Sequence, residues 1–183
     1  MSERFTLVPM DESTRALAVA NLQSTRDALQ VAVAGLSEAQ ARFKPSPERW
    51  CVEEIVEHLA VAEHGMYRFI STLHEVSDDP HTAESAASLL RAGDRQKMPL
   101  SAPERVHPKS RFGSLNAALS KFLENRERTI EFVKSCHDDL RLRLIQHPLG
   151  LINGHDCLTV LTRHPARHVE QINELKADPS FPR

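Results

Sequence analysis

His164 and His168 lie four residues apart in Arg163-His164-Pro165-Ala166-Arg167-His168-Val169-Glu170-Gln171-Ile172. On an α-helix that spacing puts both imidazoles on one side, about one turn apart, where they can reach a single small object. A divalent metal ion, zinc or nickel, suits them: it accepts neutral imidazole nitrogen, and two helical ligands call for a third from a neighbouring element. His58, in Val52-Glu53-Glu54-Ile55-Val56-Glu57-His58-Leu59-Ala60, is the candidate. Taken alone it reads first as a core histidine bonded to a carbonyl or carboxylate, because a buried ring must find partners.

The three together say more. Buried imidazoles without partners are costly, and one ion satisfies all three. Three neutral nitrogens leave coordination positions open to water or substrate, the pattern of a catalytic rather than a sealed site. Such an ion can lower the pKa of a bound water, or bind a thiolate or carbonyl oxygen. Glu57, Glu63, Glu170 and Gln171 are the nearest groups in sequence that could hold the other ring nitrogens. No glutamate stands between the paired histidines, which argues against a protease of the HExxH type. His64 and His74 follow the helical stripe less well and read as peripheral, and His81 and His107 in a proline-rich stretch are assigned no role. Spacing identifies no catalytic acid, base or nucleophile.

Four long helices have to position these residues. Apolar spacing predicts the first over 11–36, capped by Asp11 or Ser13, followed by a capping box at Ser37-Glu38-Ala39-Gln40. Pro45 and Pro47 impose an extended link to Trp50. The second helix is predicted over 52–76, with Ile55, Leu59, Ala62, Met66, Phe69 and Leu73 on its apolar stripe and His58 inside it. Residues 78–113, rich in proline, form a long crossover around a short helix over 84–92. The third helix, over 114–137, buries Leu115, Leu119, Phe122, Ile130 and Val133. Arg126 interrupts that face; its stem either snorkels to solvent or aims the guanidinium into a pocket for an anionic group. Residues 140–153 read as a loop with tight turns. The last helix, capped by Asp156, carries Leu158, Leu161, His164, His168, Ile172 and Leu175 on one side. Pro165 within it costs about 3 kcal/mol if uncompensated and predicts a kink or wide turn over 162–165. Residues 178–183 should fray.

With 183 residues the chain suits a single domain spanning 1–183. Charged residues make up 26% and aromatics 5%, which favours an all-α class of helices packed on helices. A net charge of -2, with no concentrated basic surface, argues against a nucleic-acid partner. Cys51, Cys136 and Cys157 form no metal-type spacing and read as buried, reduced thiols in a cytoplasmic protein. Neither a secretory signal nor a membrane-spanning stretch is expected.

Trp50 followed by a helix carrying His58-Leu59, then His147-Pro148-Leu149-Gly150, a helix opening, and His164 with Arg167-His168 and Gln171-Ile172 together resemble the DinB-like superfamily of YfiT-type bundles. The resemblance runs from the first long helix to about Lys176. It implies an all-α, up-up-down-down style four-helix bundle with a long crossover between helices 2 and 3, and a divalent metal site made of His58, His164 and His168. It also implies a homodimer and a small-molecule substrate. The activity would be thiol-dependent S-transfer using a low-molecular-weight thiol, slightly preferred, or metal-dependent hydrolysis; a non-catalytic bundle that dimerises or binds a ligand is the alternative. Two positions depart from the pattern. Cys51 stands where Ser or Thr often caps a helix, and Pro165 lies between two ligands.

Overall fold

The computed structural model describes residues 10–72, 104–137, 140–147 and 150–183. Helix α1 (Glu12–Val33) opens at Asp11, whose side chain accepts from Thr14 N at 2.8 Å. Gly35, at φ 72°, turns the chain into the one-turn helix α2 (Glu38–Ala41), which the Ser37–Gln40 capping box starts as predicted. Helix α3 (Val52–Thr72) opens without a hydroxyl cap: the Glu54 carboxylate reaches back to Cys51 N at 2.9 Å, the reciprocal half of a capping box. The departure at Cys51 is therefore compensated within the same turn. Residues 73–76, His74, His81 and the predicted helix over 84–92 lie outside the described residues.

A short 3-10 turn (Glu104–Val106) leads to α4 (Leu115–Ser135), capped by Ser114, and the Arg15 guanidinium closes its far end on the carbonyls of Val133 and Cys136. The stretch predicted as a loop contains more order than its turn residues suggested. A 3-10 turn (Leu140–Leu142) is followed by an antiparallel hairpin, β1 (Leu144–His147) and β2 (Gly150–Asn153), with Leu144 opposite Asn153. Strands of four residues are too short for alternation to stand out in sequence. Helix α5 (Gly154–Lys176) is capped by Asn153, not Asp156: Asn153 Oδ1 accepts from Asp156 N at 2.8 Å. A Cβ on Gly154 would lie 2.9 Å from the Leu140 carbonyl oxygen, so only glycine fits there as the chain stands. The C-terminal residues, expected to fray, are tied down: Gln40 Nε2 donates to Pro182 O at 3.1 Å, and Phe181 packs edge-on against Phe43.

Two apolar clusters show how the four long helices run. One gathers Leu29 and Val33 from the end of α1, Val52 to Ala60 from the start of α3, Leu115 to Phe122 from the start of α4, and Ile172 and Leu175 from the end of α5. The other gathers Leu22 of α1, Met66 and Ile70 of α3, Ile130 and Val133 of α4, and Cys157 to Leu161 of α5. Helices α1 and α5 thus run one way and α3 and α4 the other. The order is up-down-down-up, not up-up-down-down, because only the connection between α3 and α4 returns the chain along the bundle. Around the bundle, α1 packs on α4 and α5, and α3 packs on the same two. Between the clusters each helix contributes polar side chains: Thr25, Glu63, Asn125, Arg126, Thr129, His164 and His168. Among the described residues no helix is long and apolar enough to cross a membrane.

Candidate metal centre

His58 on α3 and His164 and His168 on α5 project into this polar layer and meet. The Nε2 atoms of His58 and His164 are 3.0 Å apart, as are those of His168 and His164. The three candidate ligand atoms all lie within 4.8 Å of one another. His58 and His168 are buried and His164 is half-buried, so the group opens to solvent on the His164 side.

The protons decide what this group can hold. His58 Nδ1 lies 2.8 Å from Val106 O, and a carbonyl only accepts, so Nδ1 carries the hydrogen and Nε2 presents its lone pair to the other rings. A neutral His164 can donate from Nε2 to one neighbour, not two. Among the described residues His168 Nδ1 is buried without a partner of hydrogen-bond geometry, although the Gln171 side chain favours the charged ring. Burial nonetheless pushes His168 down to about 3, aided by charge on His58 and Arg167. Burial also lowers His58, with charge on His107 adding to it and the Val106 bond opposing. These two rings are therefore neutral near pH 7, the form that binds metal. Converging neutral nitrogens that hydrogen bonds among themselves cannot all satisfy fit a divalent cation.

Pro165 does not break the helix between the ligands: α5 is continuous over Gly154–Lys176. The carbonyl it leaves unserved, Leu161 O, accepts instead from Arg126 Nη2 at 2.8 Å. Arg126 neither snorkels nor faces a pocket. Fully buried, it spends its five N–H groups on Glu63 (2.8 and 2.8 Å), Leu22 O (3.0 Å), Thr25 Oγ1 (2.9 Å) and Leu161 O. No donor remains for a substrate anion, because Leu161 O, the Glu63 carboxylate and two acceptors on α1, Leu22 O and Thr25 Oγ1, are acceptors that only a planar fork reaches together.

The groups expected to hold the rings are largely used elsewhere. Glu63 pairs with Arg126 and Thr129, and Glu57 binds the backbone of the segment after Val106. The Val106 carbonyl takes their place at His58; a backbone group 48 residues away carries no sequence signal. Trp50 covers the rings, its centroid 4.9 Å from that of His58 and 6.5 Å, nearly parallel, from that of His168. His107 meets the same indole edge-on at 5.9 Å. Trp50 also lines a cleft of about 170 Å³ together with Glu48, Arg49, Ile55, Gln171 and Leu175.

Residues 21–172 match the family model of the DinB superfamily. The chain belongs to the DinB superfamily. The matched span includes His58, His164 and His168, and it extends across all four long helices of the DinB bundle. A curated relative, the uncharacterized protein YuaE of Bacillus subtilis (strain 168), is 24% identical over 143 residues, covering 78% of this chain and 86% of YuaE. Among solved structures the DinB chain is similar to YfiT from Bacillus subtilis, described as a probable metal-dependent hydrolase with an unusual four-helix bundle topology. The TM-score is 0.58 at 16% identity, over 96% of this chain and 91% of YfiT. At that identity the likeness shows a shared four-helix fold.

Proposed function

We propose that this DinB-superfamily protein is a metal-dependent enzyme in which His58, His164 and His168 hold a divalent ion, zinc or nickel, for hydrolysis of a small molecule. One observation carries the reading: three imidazoles from two helices aim Nε2 at a common point, and the partner of His58 fixes its lone pair toward that point. When bound, the ion would supply a nucleophilic water at neutral pH and polarise a substrate oxygen. The chain's own residues do the rest. Val106 orients His58, Trp50 shields the buried rings from water, and the half-buried His164 side leaves the approach for substrate.

The description of YfiT favours water over a thiol as nucleophile. Cys51, Cys136 and Cys157 are free and buried, and none joins the three-histidine group, so a thiol would have to come from a second substrate. A single domain, a homodimer and a cytoplasmic location belong to the same proposal, and light scattering measures the dimer directly.

Elemental analysis of the purified protein, followed by a screen of metal-loaded enzyme on small esters and amides and on low-molecular-weight thiols with electrophilic acceptors, separates the readings. The proposal expects one equivalent of metal and chelator-sensitive hydrolysis. Thiol transfer without hydrolysis would replace the reaction, and stoichiometric metal with neither activity would leave a structural site in a non-catalytic bundle.

A further inference from the structure

Glu57 and His58 are consecutive on α3, and both are tied to the same loop. Glu57 is buried. Its Oε1 accepts from Lys109 N at 2.6 Å and from Arg111 Nη1 at 2.8 Å, and its Oε2 from Arg111 N at 3.0 Å. Two backbone N–H groups flanking Ser110 reach one carboxylate because Ser110 sits at φ 56°, the left-handed region that a non-glycine residue rarely adopts. Alternate N–H groups about such a residue form a concavity that binds anions, and here the anion is the protein's own side chain. The Arg111 guanidinium also donates to His107 O at 2.6 Å and Arg105 O at 3.3 Å, bracing the turn that presents Val106.

The Val106 carbonyl faces the next residue on the helix, 2.8 Å from His58 Nδ1. Without that acceptor, His58 could carry its proton on Nε2 and donate to His164 Nε2, 3.0 Å away. The two rings would then satisfy each other and present no lone pair from His58 to an ion.

We infer that Glu57 is a positioning residue of the three-histidine centre: by seating the loop over 104–111 it holds Val106 O on His58 Nδ1 and selects the tautomer whose Nε2 lone pair faces His164 and His168. Its purpose rests on the metal-centre reading, but its geometry does not. The loop contributes no ligand, yet it sets the proton on one.

The test compares wild type, Glu57→Gln and Arg111→Gln. In metal-free, nitrogen-15-labelled protein, two-bond proton–nitrogen correlations of the imidazoles report which nitrogen of His58 carries the proton. Competition against a chromophoric chelator reports affinity for Zn²⁺. Wild type should hold the His58 proton on Nδ1; Glu57→Gln should move part of it to Nε2 and weaken Zn²⁺ binding about 10–100-fold. Arg111→Gln, which leaves both backbone contacts to Glu57, should weaken it only several-fold. A folded Glu57→Gln protein with His58 still protonated at Nδ1 and unchanged affinity overturns the inference. If Glu57→Gln does not fold, an unchanged tautomer and affinity in Arg111→Gln overturn it. A wild type that binds no Zn²⁺ ends the metal reading, while the tautomer comparison still decides the role of Glu57.

Discussion

Arg126 Nη2 donates to the carbonyl of Leu161 at 2.8 Å, the carbonyl that Pro165, four residues on, has no N–H to serve. A residue on α4 thus repairs the hydrogen-bond ladder of α5 at the turn before His164. The same guanidinium is paired with Glu63 of α3 and two acceptors on α1, so four helices meet on one buried side chain.

The first prediction follows from that repair. Arg126→Lys keeps a charge for Glu63 but cannot reach all five acceptors, and should cost about 1–3 kcal/mol, the penalty of buried acceptors left unmade. Pro165→Ala restores an N–H for Leu161 O, so the double variant should be less destabilised than the sum of the singles, with a coupling of about 0.5–3 kcal/mol. Urea unfolding of the four proteins measures it. Simple additivity would mean that the Leu161 contact contributes nothing.

A second prediction concerns the buried pair itself. Arg126→Met leaves the Glu63 carboxylate buried with Thr129 as its remaining partner among the described residues. Loss of about 3–5 kcal/mol is expected, as for breaking a buried ion pair, and Arg126→Met/Glu63→Met should recover much of it because no charge is stranded. Equal stability of the single and double variants would contradict this account.

These residues show what the sequence could and could not reveal. The four helices, the Ser37–Gln40 box and the three histidines are legible because apolar spacing and the i, i+4 interval are local signals. The fate of Pro165 is not, since its compensation comes from a residue 35 positions away along the chain from Leu161. Arg126 misleads for the same reason: its stripe position announces burial, but the acceptors that make burial tolerable sit on three other helices. The hairpin over 144–153 and the Asn153 cap were hidden by short strands and by an asparagine three residues ahead of an equally suitable Asp156.

Acid should destabilise the metal-free protein. Burial lowers His58 and brings His168 down to about 3 from 6.5, whereas both rings titrate near 6.5 in the unfolded chain. Between those values the unfolded state binds more protons, so stability is lost as pH falls from about 6.5 toward 3, and this source contributes no slope well above 6.5. Thermal unfolding from neutral to acidic pH should show a shallower slope for His168→Gln than for wild type. Identical slopes would mean that His168 is not held neutral.

The start of α5 gives a packing test. Gly154→Ala would place a Cβ 2.9 Å from the Leu140 carbonyl oxygen, and the required backbone shift should cost about 1–3 kcal/mol despite alanine's better helix propensity. Differential scanning calorimetry should register a lower Tm. An unchanged or higher Tm would show that the 3-10 turn at Leu140 gives way easily.

The central claim is that three ring nitrogens share one ion. Anomalous diffraction from crystals grown with Zn²⁺, collected on both sides of the zinc edge, tests it most directly. The account predicts one peak about 2.0–2.2 Å from the Nε2 atoms of His58, His164 and His168. No peak there, or zinc held at surface residues while the three rings remain bonded to one another, would contradict it.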